Sequence, residues 1–216
     1  MNFLAHALLA GSADADRIGG LMGDFVKGLL PAGLPPELAS GVALHRAIDS
    51  FADRHPAFVA SRARISPLRR RVGGILVDLF YDHLLARDWT RYGPIALDDF
   101  TGDLYAAFEN YSGFFSGDAG EVAALMRRYD WLGSYRDVDA VGRAIDRMAV
   151  HRLRRANSLA GGIDEFLADS DGFDADFRAF LPDALAFTTH WRLARGQQRA
   201  FGASGKKIGV AKPPPI

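Results

Sequence analysis

An all-α fold in a single multi-helix domain is what the sequence predicts, on three observations. No convincing period-two run bounded by turn chemistry occurs along the 216 residues. Apolar residues recur at helical spacing instead, as in Leu76, Leu79, Phe80 and Leu84. Prolines mark where such stretches stop and start, at Pro31, Pro35, Pro36 and Pro56. A hydrophobic content of 49% with 24% charged residues supplies one substantial core, and no internal linker divides the chain. The expected organisation is one domain over residues 1–201 and a disordered tail over 202–216, where apolar periodicity is lost.

Each segment has its own reason. NFLAHALLAG is a short apolar helix with Asn2 and His6 four apart on one face. ADADRIGGLMGDFVKGLL is helical in part, loosened by Gly19, Gly20 and Gly23 and stopped by Pro31. LPPELASGVALHRAIDSFADRH enters through prolines suited to a helix N-terminus and ends before Pro56. PAFVASRARI is shorter, and PLRRRVGGILVDLFYDHLLARDW is long and apolar. LDDFTGDLYAAFENY follows, with Asp98 or Asp99 expected as its cap. DAGEVAALMRRYDWL, DVDAVGRAIDRMAVHRLRRANSL and a helix over about 173–201 complete a set of roughly eight to ten helices.

Composition narrows the chemistry. The absence of cysteine removes disulfides, thiolate metal sites and cysteine nucleophiles, and fits a reducing compartment. A metal site would draw on His, Asp, Glu, Asn or water, a donor set suited to Mn²⁺, Mg²⁺, Fe²⁺ or a histidine–carboxylate zinc site. The first residues have no basic region and the apolar run is short, so neither a signal peptide nor a membrane span is expected, and a cytoplasmic location is. A formal net charge of zero gives no general attraction to nucleic acid.

Against this ordinary background, certain polar residues sit on apolar stripes. His45, Asp49 and Asp53 follow one another at four-residue intervals in VALHRAIDSFAD. Four residues of α-helix leave a side chain about 40° from its predecessor and one turn on, so His45 and Asp49 can reach one point. Asp53 has drifted about 80° and is a second-tier candidate. Asp78 and Asp82 repeat the spacing, where two carboxylates on one face require a cation, either an arginine, from Arg46 or the Arg69–Arg71 group, or a metal ion. His83 lies about 140° round the helix from Asp78 and is placed at the rim or behind the ligands. Asp24 interrupts the apolar run LMGDFVKG, and Asn2 and His6 share the first helix.

With these residues in view, the sequence resembles the acyl carrier protein phosphodiesterase family. The resemblance rests on MNFLAH, GDFVKG, LHRAIDSFAD, VDLFYDHLLARDW, WLGSYRDVDAV and RMAVHR, in the expected order over about residues 1–195. It implies an all-helical, divergent HD-like phosphohydrolase that depends on Mn²⁺ or another divalent ion. Its substrate is holo-acyl carrier protein, cleaved at the phosphodiester between 4′-phosphopantetheine and a serine. The adjacent His-Asp pair of HD enzymes is replaced here by His45 and Asp49, one helical turn apart. The resemblance carries His6, Asp24, His45, Asp49, Asp78 and Asp82 over as the family's polar positions without saying which touch metal. Of these, His45, Asp24, Asp49, Asp78 and Asp82 are expected to hold the metal, Asp24 or Asp49 to accept the water's proton and His6 to protonate the departing serine oxygen, while Asn2, Asp53 and His83 take supporting places. Residues 111–121 read as a variable loop.

Arginines cluster in RARISPLRRR and RMAVHRLRR. Carrier proteins of this kind are acidic, so Arg62, Arg64, Arg69, Arg70 and Arg71 are expected to dock one, with Arg147, Arg152, Arg154 and Arg155 as a second patch. Arg46 is expected near the phosphate. Two rival readings predict other outcomes. A phosphohydrolase of a small nucleotide or other diester would need no protein partner, and a non-catalytic module binding an acidic carrier would need no metal.

Overall fold

The computed structural model describes residues 3–115, 118–151 and 157–204, and among these there are twelve α-helices and no strand. The helices are α1 Phe3–Leu9, α2 Asp14–Met22, α3 Pro36–Ala52, α4 Pro56–Arg64, α5 Gly73–Arg87 and α6 Trp89–Tyr92. They continue with α7 Leu97–Tyr111, α8 Asp118–Arg128, α9 Trp131–Ser134, α10 Val138–His151, α11 Ile163–Ala168 and α12 Ser170–Ser204. No helix among the described residues is long and apolar enough to cross a membrane.

Helix α5 runs through the middle of the domain. Leu76, Val77, Leu79, Phe80, Tyr81, Leu84 and Leu85 are buried around most of its circumference, so it reads as a core helix rather than a surface one. Against it lies α12, whose Phe173, Phe177, Phe180, Leu181 and Ala184 form a buried stripe at helical spacing. Phe80 meets Phe173 edge-on at 5.1 Å and Tyr81 meets Phe177 at 5.3 Å. Where the stripe reaches α4, polar groups find partners. Ser61 bonds both the Tyr81 hydroxyl and Asp176, each at 3.0 Å, and Arg64 reaches Asp176 and Asp169 at 2.8 and 2.5 Å.

Helices α2 and α3 pack backbone to backbone. A Cβ at Gly19 would stand 2.7 Å from the Gly41 Cα, and one at Gly41 would stand 2.7 Å from the Asp16 carbonyl oxygen. Gly19, one of the glycines expected to loosen the second segment, instead permits this close approach; Gly19 and Gly20 remain helical within α2, and the helix gives way to a 3-10 turn at Gly23. The approach sets α2 against the stripe of α3 that carries His45.

Several expected boundaries shift. One-turn helices at Trp89–Tyr92 and Trp131–Ser134 bring the count above ten. The start of α5 falls at Gly73, after a 3-10 turn at Arg70–Val72. Ala96, not an aspartate, precedes α7, and Asp98 and Asp99 occupy its first turn, where negative charge also suits the helix. The expected loop at 111–121 already contains the start of α8. Helix α12 extends to Ser204, three residues beyond the expected domain end, and residues 205–216 lie outside the described residues.

Candidate metal centre

The centre begins with three local facts. Helix α1 carries His6, α3 carries His45 and Asp49, and the 3-10 turn Gly23–Phe25 following α2 carries Asp24. On α3, the four-residue spacing puts the His45 Nε2 3.2 Å from Asp49 Oδ2. From α1, the His6 Nε2 comes within 3.0 Å of the other oxygen, Oδ1. The two imidazoles stack with centroids 3.9 Å apart. Asp24 adds a carboxylate oxygen 3.5 Å from the His45 Nε2. Both rings are buried, while both carboxylates reach solvent, so the centre is open on one side.

His45 is oriented from behind. Its Nδ1 lies 2.7 Å from the Gly20 carbonyl oxygen, which can only accept, so the proton sits on Nδ1 and Nε2 faces the carboxylates. Gly23 makes room for the ring: a Cβ there would lie 2.3 Å from the His45 Cγ. His6 is not pinned in this way. Its buried Nδ1 has no hydrogen-bond partner among the described residues, so its proton can follow whatever occupies Nε2.

The electrostatics divide the two rings. Burial alone would lower the His45 pKa, but its bonds to Asp24 and Asp49 outweigh this and raise it to about 9. Burial, followed by the charge on His45, lowers His6 to about 3. The stacked pair therefore holds one ring proton in excess at neutral pH. His45 holds Asp24 below its usual range. Asp49 is also held well below its usual range, because bonds from His45 and His6 overcome the upward push of burial.

His6, His45 and Asp49 are the group of three among the described residues whose ligand atoms all lie within 4.8 Å of one another. Asp78 stands close by on α5, outside this tight set. Burial raises its pKa, and the charges of Asp49 and Asp24 add to the rise.

Other expected site residues have different employment. Asp82, expected as a ligand, directs both oxygens at the start of α1, where Leu4 and Ala5 each donate a backbone N–H at 2.9 Å. Asp53 is an exposed partner of Arg62 at 3.4 Å. His83 donates from Nδ1 to the Tyr135 carbonyl at 2.8 Å and packs edge-on against Phe166, away from the centre. Arg46, expected at the phosphate, donates to the carbonyls of Gly28 and Val26 at 2.9 and 2.8 Å. Asn2 and Arg152 lie outside the described residues, as do Arg154 and Arg155.

The docking arginines also divide. Arg69 is bound to Glu165 at 3.1 Å and to the Ala160 carbonyl at 3.0 Å, which ties the entry of α5 to α11. Arg64 is held by its two aspartates. Arg70 and Arg71 are exposed, and Arg147 lies over the Trp131 ring. Two contributors to the centre went unassigned at the level of sequence, the Gly20 carbonyl and the bare face of Gly23. Lys27, whose Nζ bonds the Asp24 carbonyl oxygen at 2.5 Å, is a third. All three belong to stretches that the sequence already marks, GGLMGDFVKG, but only tertiary packing assigns them a task.

Residues 1–184 match the family described as acyl carrier protein phosphodiesterase. A protein of that name from Photorhabdus laumondii is 32% identical over 183 residues, covering 84% of this chain and 92% of the relative. Proteins of the same name from Salmonella paratyphi A and Salmonella agona are each 32% identical over 187 residues, covering 86% of this chain and 96% of theirs. No solved structure matches the chain.

Proposed function

Because the chain belongs to the acyl carrier protein phosphodiesterase family, we propose that it hydrolyses holo-acyl carrier protein at a divalent metal centre built from His6, His45 and Asp49. In this reading water adds to phosphorus, the serine oxygen leaves, and the products are apo-acyl carrier protein and 4′-phosphopantetheine. The observation that carries the metal reading is the donor set itself, two buried imidazoles and a carboxylate with ligand atoms within 4.8 Å of one another.

The residues fit such an ion. The Gly20 carbonyl holds the His45 Nδ1–H and aims Nε2 at the carboxylates, so that Nε2 can bind an ion once its own proton leaves, the orientation that metal-ligating histidines ordinarily have. His6, held neutral by burial, offers a lone pair without first giving up a proton. That same neutrality argues against the expected role of His6 as proton donor to the serine. Nitrogen and carboxylate donors without sulfur suit Mn²⁺ or Fe²⁺; the family resemblance favours Mn²⁺ among them, with Mg²⁺ as a further alternative. When bound, a divalent ion neutralises phosphoryl charge and makes water a competent nucleophile near neutral pH.

The protein's other groups act around that ion. Asp24, exposed and ionised, is placed to take the proton of the attacking water. Asp78, buried on α5, feels the charges of both Asp24 and Asp49. The likeness to HD enzymes is supported by the order of donors, a histidine on α1 followed by a histidine and an aspartate on α3. Exposed Arg70 and Arg71 retain the positive charge suited to an acidic carrier. The absence of cysteine supports a cytoplasmic setting.

Intact mass spectrometry of the carrier tests the reaction. Incubation with this protein and Mn²⁺ is expected to remove the phosphopantetheine mass, and EDTA is expected to prevent the loss. A carrier that keeps its prosthetic group under every metal condition overturns the hydrolytic reading.

A further inference from the structure

The bond cleaved in the proposed reaction lies one serine side chain from the carrier's own surface. Whatever rims the metal centre must therefore touch the carrier protein as well as its prosthetic arm, an inference that rests on the hydrolytic reading above.

One part of the rim is built for contact. Residues 26–30 leave the 3-10 turn that carries Asp24, and Arg46, the neighbour of His45 on α3, fastens them. Its guanidinium holds the carbonyls of Val26 and Gly28, so the segment is clamped beside the centre. Lys27 folds back so that its ammonium bonds the Asp24 carbonyl, and two of its hydrogens remain available at the edge of the site. Gly28 turns the chain through φ +81°, with open space around its Cβ position. Leu29 follows, 93% exposed, the highest value of any large apolar side chain among the described residues.

An exposed leucine alone says little. Here it is held out in water by a loop clamped to the helix that supplies two of the three metal-binding groups. We propose that residues 26–30 form the docking edge for the carrier protein. Leu29 meets the carrier's surface beside the modified serine, and Lys27 sets a positive charge against the anionic phosphodiester. A central apolar anchor within a polar rim is how small protein interfaces concentrate their binding energy.

The test compares wild type, Leu29→Glu and Leu29→Met on two substrates, holo-acyl carrier protein and bis(4-nitrophenyl) phosphate, both with Mn²⁺. Binding of the holo-carrier is measured separately by calorimetry. Leu29→Glu is expected to raise the carrier Kd and KM about tenfold. Its loss of kcat/KM on the small diester is expected to be several-fold smaller, and Leu29→Met is expected to restore carrier binding. An unchanged carrier Kd overturns the docking edge. So does an equal loss on both substrates, which would report damage to the metal centre. Wild type that binds the carrier without cleaving it removes the hydrolytic reading and leaves the Kd comparison to decide the docking edge; wild type that does neither removes both.

Discussion

At the scale of single residues, the chemistry of the centre turns on where one proton sits. His45 keeps its proton to about pH 9, above its ordinary value of 6.5, because Asp24 and Asp49 face it. In metal-free protein that pairing stabilises fully below pH 6.5 and is lost as pH rises through 9. Asp24 and Asp49 behave in the opposite sense. Their depressed pKa values stabilise above the ordinary carboxylate range, and that contribution is lost on acidification. The Tm of EDTA-treated protein should therefore fall between pH 6.5 and 9, and a rise over that interval contradicts the assignment. An ion at His45 must displace the proton, so Mn²⁺ affinity is expected to climb about tenfold per pH unit towards pH 9. Calorimetry at pH 7 in buffers of different ionisation enthalpy should find about one proton released per ion. Gly23 is the second sensitive position. The Cβ of Gly23→Ala would meet the His45 ring at 2.3 Å and push it aside, and kcat/KM is expected to fall about a hundredfold. Near-normal activity would mean that the ring position does not matter.

At the scale of elements, the lesson is that spacing within one helix was legible and meetings between helices were not. The four-residue interval correctly brought His45 and Asp49 together, because the helix alone dictates it. The same interval in Asp78 and Asp82 suggested two ligands, yet one turn of α5 carries Asp82 beneath the start of α1. There it caps two backbone N–H groups of the helix bearing His6. Nothing local in VDLFYDHLL distinguishes these two fates. Burial pushes the Asp82 carboxyl up to about 7 in spite of the two bonds, so its place is structural and costly. Asp82→Ala leaves those donors unpaired and is expected to lower stability by about 2 kcal/mol in urea unfolding, with activity falling as α1 shifts His6. Asp82→Asn, which keeps an acceptor, should recover part of both, and an unaltered urea midpoint for Asp82→Ala would refute the cap. Arg69 follows the same logic. Its partners Glu165 and Ala160 make it a tie between elements, so Arg69→Ala should lower Tm more than it raises KM for the carrier.

At the scale of the whole molecule, composition and period foretold an all-helical domain because α5 and α12 bury continuous apolar faces that only helices present in that pattern. Less legible were the devices that let those helices converge: the glycine contact between α2 and α3, the bare face of Gly23, and the turn of Arg46 towards its own loop. Each is a contact between residues distant in sequence, set by the packed fold and not by any local pattern. In the proposed centre, three groups from two helices, α1 and α3, share one divalent ion at the open edge of this bundle. Anomalous diffraction at the manganese edge, from crystals of the protein soaked in MnCl₂, tests it most directly. A peak within bonding distance of His6, His45 and Asp49 is expected; an empty cluster in crystals that bind manganese elsewhere would contradict the shared ion.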